Sequence, residues 1–195
     1  MNDHAPSSPP PHLAAIAAET ARLGFAMACE DRTGSLLRTL AASKPGGRLL
    51  ELGTGTGRST AWLLAGMDRD ARLVTVDDDP AVSAAAGAVL GGDPRLRFEV
   101  ADGGPWLAAQ RRDGASYDLV FADAWPGKYA HLDDALAVVA PGGLYVIDDM
   151  LPQPTWPEGH QARVDELLAI LDARAELAVT RLTWASGLVI AVKRS

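Results

Sequence analysis

Short apolar runs alternate along most of the chain with stretches whose apolar residues recur at helical spacing. Arg48 to Leu52, Arg72 to Val76, Leu96 to Ala101, Asp118 to Ala122 and Leu144 to Ile147 are nearly continuous apolar runs of strand length. Helical stretches separate them at 58–67, 80–90, 106–111 and 132–139. Two more helices are predicted ahead of the first strand, an Ala-rich one at 12–23 and another at 35–43, which Lys44-Pro45-Gly46-Gly47 brings to a stop. Strands this apolar are buried on both faces. Their alternation with helices predicts a doubly wound α/β fold around a parallel sheet.

The pattern changes near the end. A helix over 161–173 precedes two β-prone runs, 177–184 and 188–192, joined by Ala185-Ser186-Gly187. A parallel pair needs a crossover of about a dozen residues or more, so a link this short requires an antiparallel hairpin. The prediction is therefore a seven-stranded, mostly parallel sheet with a C-terminal antiparallel hairpin. It forms one domain over 12–195, after a disordered Pro- and Ser-rich tail over 1–11.

Composition narrows the functional classes. No apolar run reaches the roughly 18 residues of a membrane-spanning helix, because charges, Gly or Pro interrupt each candidate. The first residues carry neither a basic nor an apolar region of the kind a secretion signal needs. Cys29 is the only cysteine, which excludes an intrachain disulfide framework and a multi-cysteine zinc site and suits a reducing cytoplasm. The formal net charge of −7, without a Lys/Arg block, is the wrong footprint for gripping a phosphate backbone. A small-molecule partner is expected, with neither nucleic acid nor a membrane.

The most informative segment is Glu51-Leu52-Gly53-Thr54-Gly55-Thr56-Gly57, between the first strand and the helix that follows it. In open α/β sheets ligands bind beyond the carboxyl ends of the strands, and glycines let the backbone turn tightly there and come close. A dinucleotide fingerprint G-x-G-x-x-G fails in both frames: from Gly53 the sixth position is Arg58, and from Gly55 it is Thr60. No P-loop is present either. A carboxylate at Glu51 would repel a pyrophosphate but suits a cationic group such as the amino-acid end of S-adenosylmethionine; the bland alternative is a strand-end residue making cap bonds. Asp77 ends the second strand 24 residues after Gly53, placed to accept from both hydroxyls of a ribose. Asp79, with Pro80 after it, reads as a helix cap. Asp102 follows the third strand, as an acceptor for an adenine amino group or a cap for the next helix.

Together, Glu51 to Gly57, Asp77 and Asp102 resemble the motifs of class I S-adenosylmethionine-dependent methyltransferases, over about 27–193. That class shares a parallel sheet finished by an antiparallel hairpin, which nicotinamide-binding Rossmann domains lack. Within it, the chain is most similar to the catechol and caffeoyl-CoA O-methyltransferase group. Met27 to Gly34 looks like that group's cofactor-covering segment, Phe121 to Tyr129 like its strand-four motif and Gly143 to Asp149 like its strand-five motif. The resemblance implies a cofactor site of Met27, Glu51, Gly53, Gly55, Gly57, Ser59, Asp77, Asp102, Gly103 and Asp123. It also implies a divalent metal on Asp123, Asp148 and Asp149, and a homodimer. Three carboxylates suit Mg²⁺, Mn²⁺ or Ca²⁺, which would grip two substrate oxygens and lower a hydroxyl's pKa. The chain departs from the group twice. Asp149 stands where the group has asparagine, and Pro126 stands where it has its catalytic lysine. Lys128, two residues on, either substitutes beside Asp123 as a catalytic residue or is a solvated lysine at a helix start. The resemblance implies O-methylation of a phenol- or catechol-like hydroxyl, and loss of that lysine leaves open a cofactor-binding protein of the same fold without catalysis, or a methyltransferase of a different small-molecule acceptor that uses no metal.

The Pro-rich segment from Leu151 to His160 has the length of a substrate lid. Trp125 and Trp156 would wall an acceptor pocket or serve as packing anchors. His160 reads as an exposed residue ahead of a base, Cys29 as a small residue under the cofactor, and Trp62 and Trp184 as core.

Overall fold

The structure is a computed structural model in which residues 8–153 and 156–195 are described. The chain packs as two compact units, Met1–Asp102 and Gly103–Ser195.

The first unit contains α1 (Leu13–Leu23), α2 (Asp31–Ala42), β1 (Arg48–Leu52), α3 (Arg58–Gly66), β2 (Arg72–Asp77), α4 (Pro80–Leu90) and β3 (Leu96–Val100). β2 lies between β1 and β3 and runs parallel to both, with Leu50 opposite Val74 and Thr75 opposite Phe98. Leu49, Leu50, Glu51 and Leu52 are buried on successive positions, as expected for a strand covered on both faces. α2 starts at Asp31, four residues before the predicted start, and takes in Gly34. The reason is packing against α3: a Cβ on Gly34 would lie 2.1 Å from Trp62 Cδ1, and one on Gly66 would lie 2.0 Å from the Arg38 carbonyl oxygen. Two glycines let these helices cross closely, and Trp62 is fully buried, as predicted. Within the predicted tail, Ser8 to Pro11 are held: Arg38 Nη1 donates to the Ser8 carbonyl at 2.6 Å and Pro10 is buried. Residues 1–7 lie outside the described residues.

The second unit contains α5 (Gly103–Arg112), β4 (Tyr117–Ala122), α6 (Leu132–Ala137), β5 (Val139–Ile147), α7 (His160–Asp172), β6 (Leu177–Leu182) and β7 (Leu188–Lys193). β4 and β5 are parallel. β7 pairs antiparallel with both β5 and β6, in the register Tyr145 to Ala191 and Thr180 to Ile190, so the predicted hairpin is present and β7 inserts beside β5. α5 begins at Gly103 and not at Trp106, because Pro105 in its first turn is pre-set for a helix start. β5 reaches back through Pro141-Gly142-Gly143 to Val139, with a register shift between Tyr117 and Leu119 accommodating the turn residues. Trp184 follows β6 in the link to β7 and is only half-buried, which corrects its assignment to the core. The seven strands make the mostly parallel α/β sheet with the C-terminal antiparallel pair that the pattern of the chain predicted. Among the described residues no helix is long and apolar enough to cross a membrane.

Candidate functional site

In the first unit the glycine loop leaves the carboxyl end of β1. Gly53, Gly55 and Gly57 have φ of 98°, 48° and 89°, left-handed conformations that glycine adopts without a Cβ penalty. The loop is braced from β2. Asp77 Oδ2 accepts from the Gly55 amide at 2.8 Å, Asp77 Oδ1 accepts from the Asp79 amide at 3.0 Å, and Gly53 N donates to the Val76 carbonyl at 2.9 Å. The residue expected at a ribose therefore also fixes the loop before it. Asp79 caps α4 through Ala81 N at 2.7 Å, with Pro80 at the first helical position, as predicted.

Glu51 is fully enclosed. Its Oε2 accepts from Thr60 Oγ1 at 2.5 Å and Thr75 Oγ1 at 2.7 Å, and Thr75 Oγ1 lies 2.6 Å from Thr54 Oγ1. Its Oε1 is buried without a hydrogen-bond partner. Burial pushes the carboxyl up to about 7, against the hydroxyls of Ser59, Thr60 and Thr75, which favour the ionised form. Glu51 thus sits beneath the loop as a buried acid tying β1, β2 and α3 together, where the sequence suggested a carboxylate offered to a ligand. Ser59 is buried beside it. Phe25, which the sequence did not single out, packs its ring over Gly55, 3.1 Å from where a Cβ would stand. Met27, in the same segment, is 77% exposed, a large apolar side chain left in the open. Asp102 is exposed immediately ahead of Gly103 at the start of α5.

In the second unit Asp123, Asp148 and Asp149 follow β4 and β5. After Asp123 the chain makes a tight turn. The Trp125 carbonyl accepts from the amides of Lys128, Tyr129 and Ala130 at 3.1, 3.0 and 3.2 Å, and Gly127 N donates to the Ala130 carbonyl at 2.7 Å. Gly127 needs its φ of +91° for this turn, and its carbonyl is held by the hydroxyl of the fully buried Tyr145. The Pro126-Gly127 turn folds the chain back, so that Lys128 Nζ lies 3.1 Å from Asp123 Oδ1, with side chains 6% and 13% exposed. The reading of Lys128 as a solvated helix-start lysine is overturned. Burial works against its ammonium, but the fields of Asp123, Asp149 and Asp148 outweigh it and hold its pKa above the usual lysine value. Burial also raises Asp123, against the ammonium beside it, and pushes Asp148 up to about 6, with Asp149 adding to that rise.

Asp148 is tied inward as well: its Oδ1 accepts from Ser186 Oγ and from the Asp149 amide at 2.8 Å. The sequence treated Ser186 as part of a plain link. It is buried, and the amides of Met150 and Leu151 donate to Gly187 and Ser186 carbonyls at 3.0 and 2.9 Å. A Cβ on Gly187 would meet Leu151 N at 2.5 Å. Only this close approach of link to strand end brings Ser186 to Asp148, and no spacing along the chain signals it. Among the described residues no group of three or more His, Cys, Asp or Glu converges to hold a metal ion.

His160, expected to be exposed, is buried at the start of α7, because Tyr129, Trp125 and Trp156 surround it. Ring centroids lie 5.1, 6.0 and 4.5 Å away respectively, and His160 Nε2 is 3.2 Å from the Tyr129 hydroxyl. Its Nδ1 is buried without a partner. Trp125 is half exposed, with the Arg163 guanidinium 5.1 Å from its ring centroid. Pro154 and Thr155 of the expected lid lie outside the described residues.

The model of a family described as a methyltransferase domain matches residues 50–150. A relative from Mycolicibacterium vanbaalenii, described as "Putative O-methyltransferase", is 35% identical over 118 residues, which are 58% of this chain and 52% of the relative. The chain spans about half the length of the curated relatives it matches. Among solved structures, the O-methyltransferase TomG from Streptomyces achromogenes, involved in tomaymycin synthesis and solved in complex with S-adenosylmethionine, is 25% identical with a TM-score of 0.83, covering 96% of this chain and 92% of TomG. Cofactor-bound Rv0187 from MTB is also 25% identical with a TM-score of 0.83, covering 95% and 90%.

Proposed function

We propose that this chain, which belongs to the methyltransferase domain family, carries the sulfonium methyl of S-adenosylmethionine to a hydroxyl oxygen of a small molecule. The observation that carries this reading is the loop of three left-handed glycines fastened to the Asp77 carboxylate through Gly55 N. Such a loop lets backbone approach a nucleoside. An acidic setting without a phosphate-binding signature favours a cation. In this reading Gly53, Gly55 and Gly57 pass beneath the amino-acid end, and Asp77 accepts from the ribose with its remaining lone pairs. Asp102 and Gly103 meet the adenine, and Met27 covers the nucleoside. Glu51 and Ser59 act from below, holding the loop in shape.

The transfer is an in-line displacement. An acceptor oxygen forms a bond to the methyl carbon as the carbon–sulfur bond breaks, and the electron pair stays on the thioether of S-adenosylhomocysteine. Alignment of oxygen, carbon and sulfur supplies much of the rate enhancement. Trp125 and Trp156, beside His160 and Tyr129, offer flat apolar surface suited to a phenol- or catechol-like acceptor. The donor set for a divalent ion fits poorly: Asp123 faces an ammonium and Asp148 is engaged by Ser186 and its own chain, so no step is assigned to a metal. A cytoplasmic location and a homodimer belong to the same proposal, on the single cysteine and the family resemblance respectively.

Calorimetry with S-adenosylmethionine, on the wild type and on Asp77→Ala, tests the reading. We expect binding by the wild type and a loss of about 10- to 100-fold in the variant, the worth of one or two charge-assisted hydrogen bonds. Radiolabelled methyl transfer to a panel of phenols and catechols then identifies the acceptor. A wild type that ignores both the cofactor and its demethylated product would end the proposal.

A further inference from the structure

Resting on the reading of the chain as a methyltransferase, we propose that the Lys128 ammonium occupies the place a divalent ion would take among Asp123, Asp148 and Asp149, so that the acceptor hydroxyl meets a fixed protein cation and methyl transfer runs without a divalent metal. The geometry has three parts. Lys128 Nζ sits 3.1 Å from Asp123 Oδ1 in a buried pair, which puts a positive charge on the oxygen a metal would need. The turn that delivers it is locked by three amides on the Trp125 carbonyl and by the Tyr145 hydroxyl on the Gly127 carbonyl, so the ammonium is not on a freely swinging arm. Asp148 spends Oδ1 on Ser186 and on the Asp149 amide, which leaves only its Oδ2 for a shared ligand set.

A hard dication needs several oxygens free to converge on it, and it repels an ammonium already bound to one of them. The pair therefore acts against metal entry while leaving an N–H donor for an acceptor oxygen. In the transfer the acceptor oxygen gains the carbon, the carbon–sulfur electron pair remains on sulfur, and the hydroxyl proton passes to water. The ammonium itself exchanges nothing and serves to hold and polarise.

Titration with MnCl2, read by electron paramagnetic resonance on the full chain, tests this without knowledge of the acceptor. The wild type should leave Mn²⁺ free up to ~1 mM, in the range of the weakest protein sites. Lys128→Ala and Lys128→Met, the second keeping the buried stem, should each bind Mn²⁺ about tenfold more tightly or better, since the repelling charge is gone. One ion per chain bound by the wild type at micromolar concentration would overturn the proposal, and so would no gain in a folded Lys128 variant. If neither variant folds, wild-type methyl transfer to the acceptor found in the radiolabelled phenol and catechol panel, run in excess EDTA, decides: retained rate supports the fixed cation, and loss that Mg²⁺ restores refutes it. S-adenosylmethionine calorimetry on the same samples separates the two readings, because failure to bind cofactor strikes at the methyltransferase reading and Mn²⁺ binding strikes only at Lys128.

Discussion

Glu51 is the residue whose substitution reads out the interior of the glycine-loop unit most directly. It is fully buried, with two hydroxyls on one oxygen and no partner on the other, and its pKa is raised from 4.5 to about 7, mainly by burial. Below pH 4.5 the carboxyl is protonated in both the folded and the unfolded chain and contributes no pH dependence. As the pH rises, the unfolded chain releases the proton first, so stability falls by about 1.4 kcal/mol per pH unit until the folded form ionises near 7. Over that window the loss from this one group sums to about 3 kcal/mol, and above pH 7 it changes no further. Glu51→Gln keeps an oxygen to accept from Thr60 and Thr75 and removes the ionisation. The variant should therefore gain on the wild type as pH increases, with a difference in unfolding free energy that grows by about 3 kcal/mol between pH 4.5 and 8. Urea denaturation of both proteins across that range measures it, and the comparison cancels Asp123 and Asp148, which titrate in both. Parallel stability curves for the two proteins would refute the buried, raised carboxyl.

Two further substitutions test the packing within each unit. Tyr145→Phe removes the hydroxyl on the Gly127 carbonyl and leaves that acceptor buried; unfolding free energy should fall by about 1–3 kcal/mol, and turnover should fall while S-adenosylmethionine affinity, measured by calorimetry, stays unchanged. Gly34→Ala places a methyl where Trp62 already stands, and thermal or urea unfolding should show a loss of about 1–3 kcal/mol, the usual cost of overpacking; an unaffected midpoint would contradict the close crossing of α2 and α3.

By itself the sequence determined the architecture and the family, because both depend on features that repeat locally. Apolar runs of strand length, helices between them and a link too short for a crossover leave few folds open, and a glycine-rich turn after the first strand can be read without knowing its neighbours. Asp79 with Pro80 declared its cap for the same reason, since cap and helix are adjacent in the chain. Tertiary structure alone decided which way the charged side chains turn. Glu51 faces inward because Thr60 and Thr75, 9 and 24 residues away, supply hydroxyls there. Ser186 reaches Asp148 across 38 residues, and Tyr145 holds the turn of Lys128 across 18. His160 is buried only because Tyr129, Trp125 and Trp156 close around it. Periodicity along a chain records which face is apolar, whereas the partner and protonation of a buried polar group depend on what distant segments bring to it, and spacing carries no trace of that.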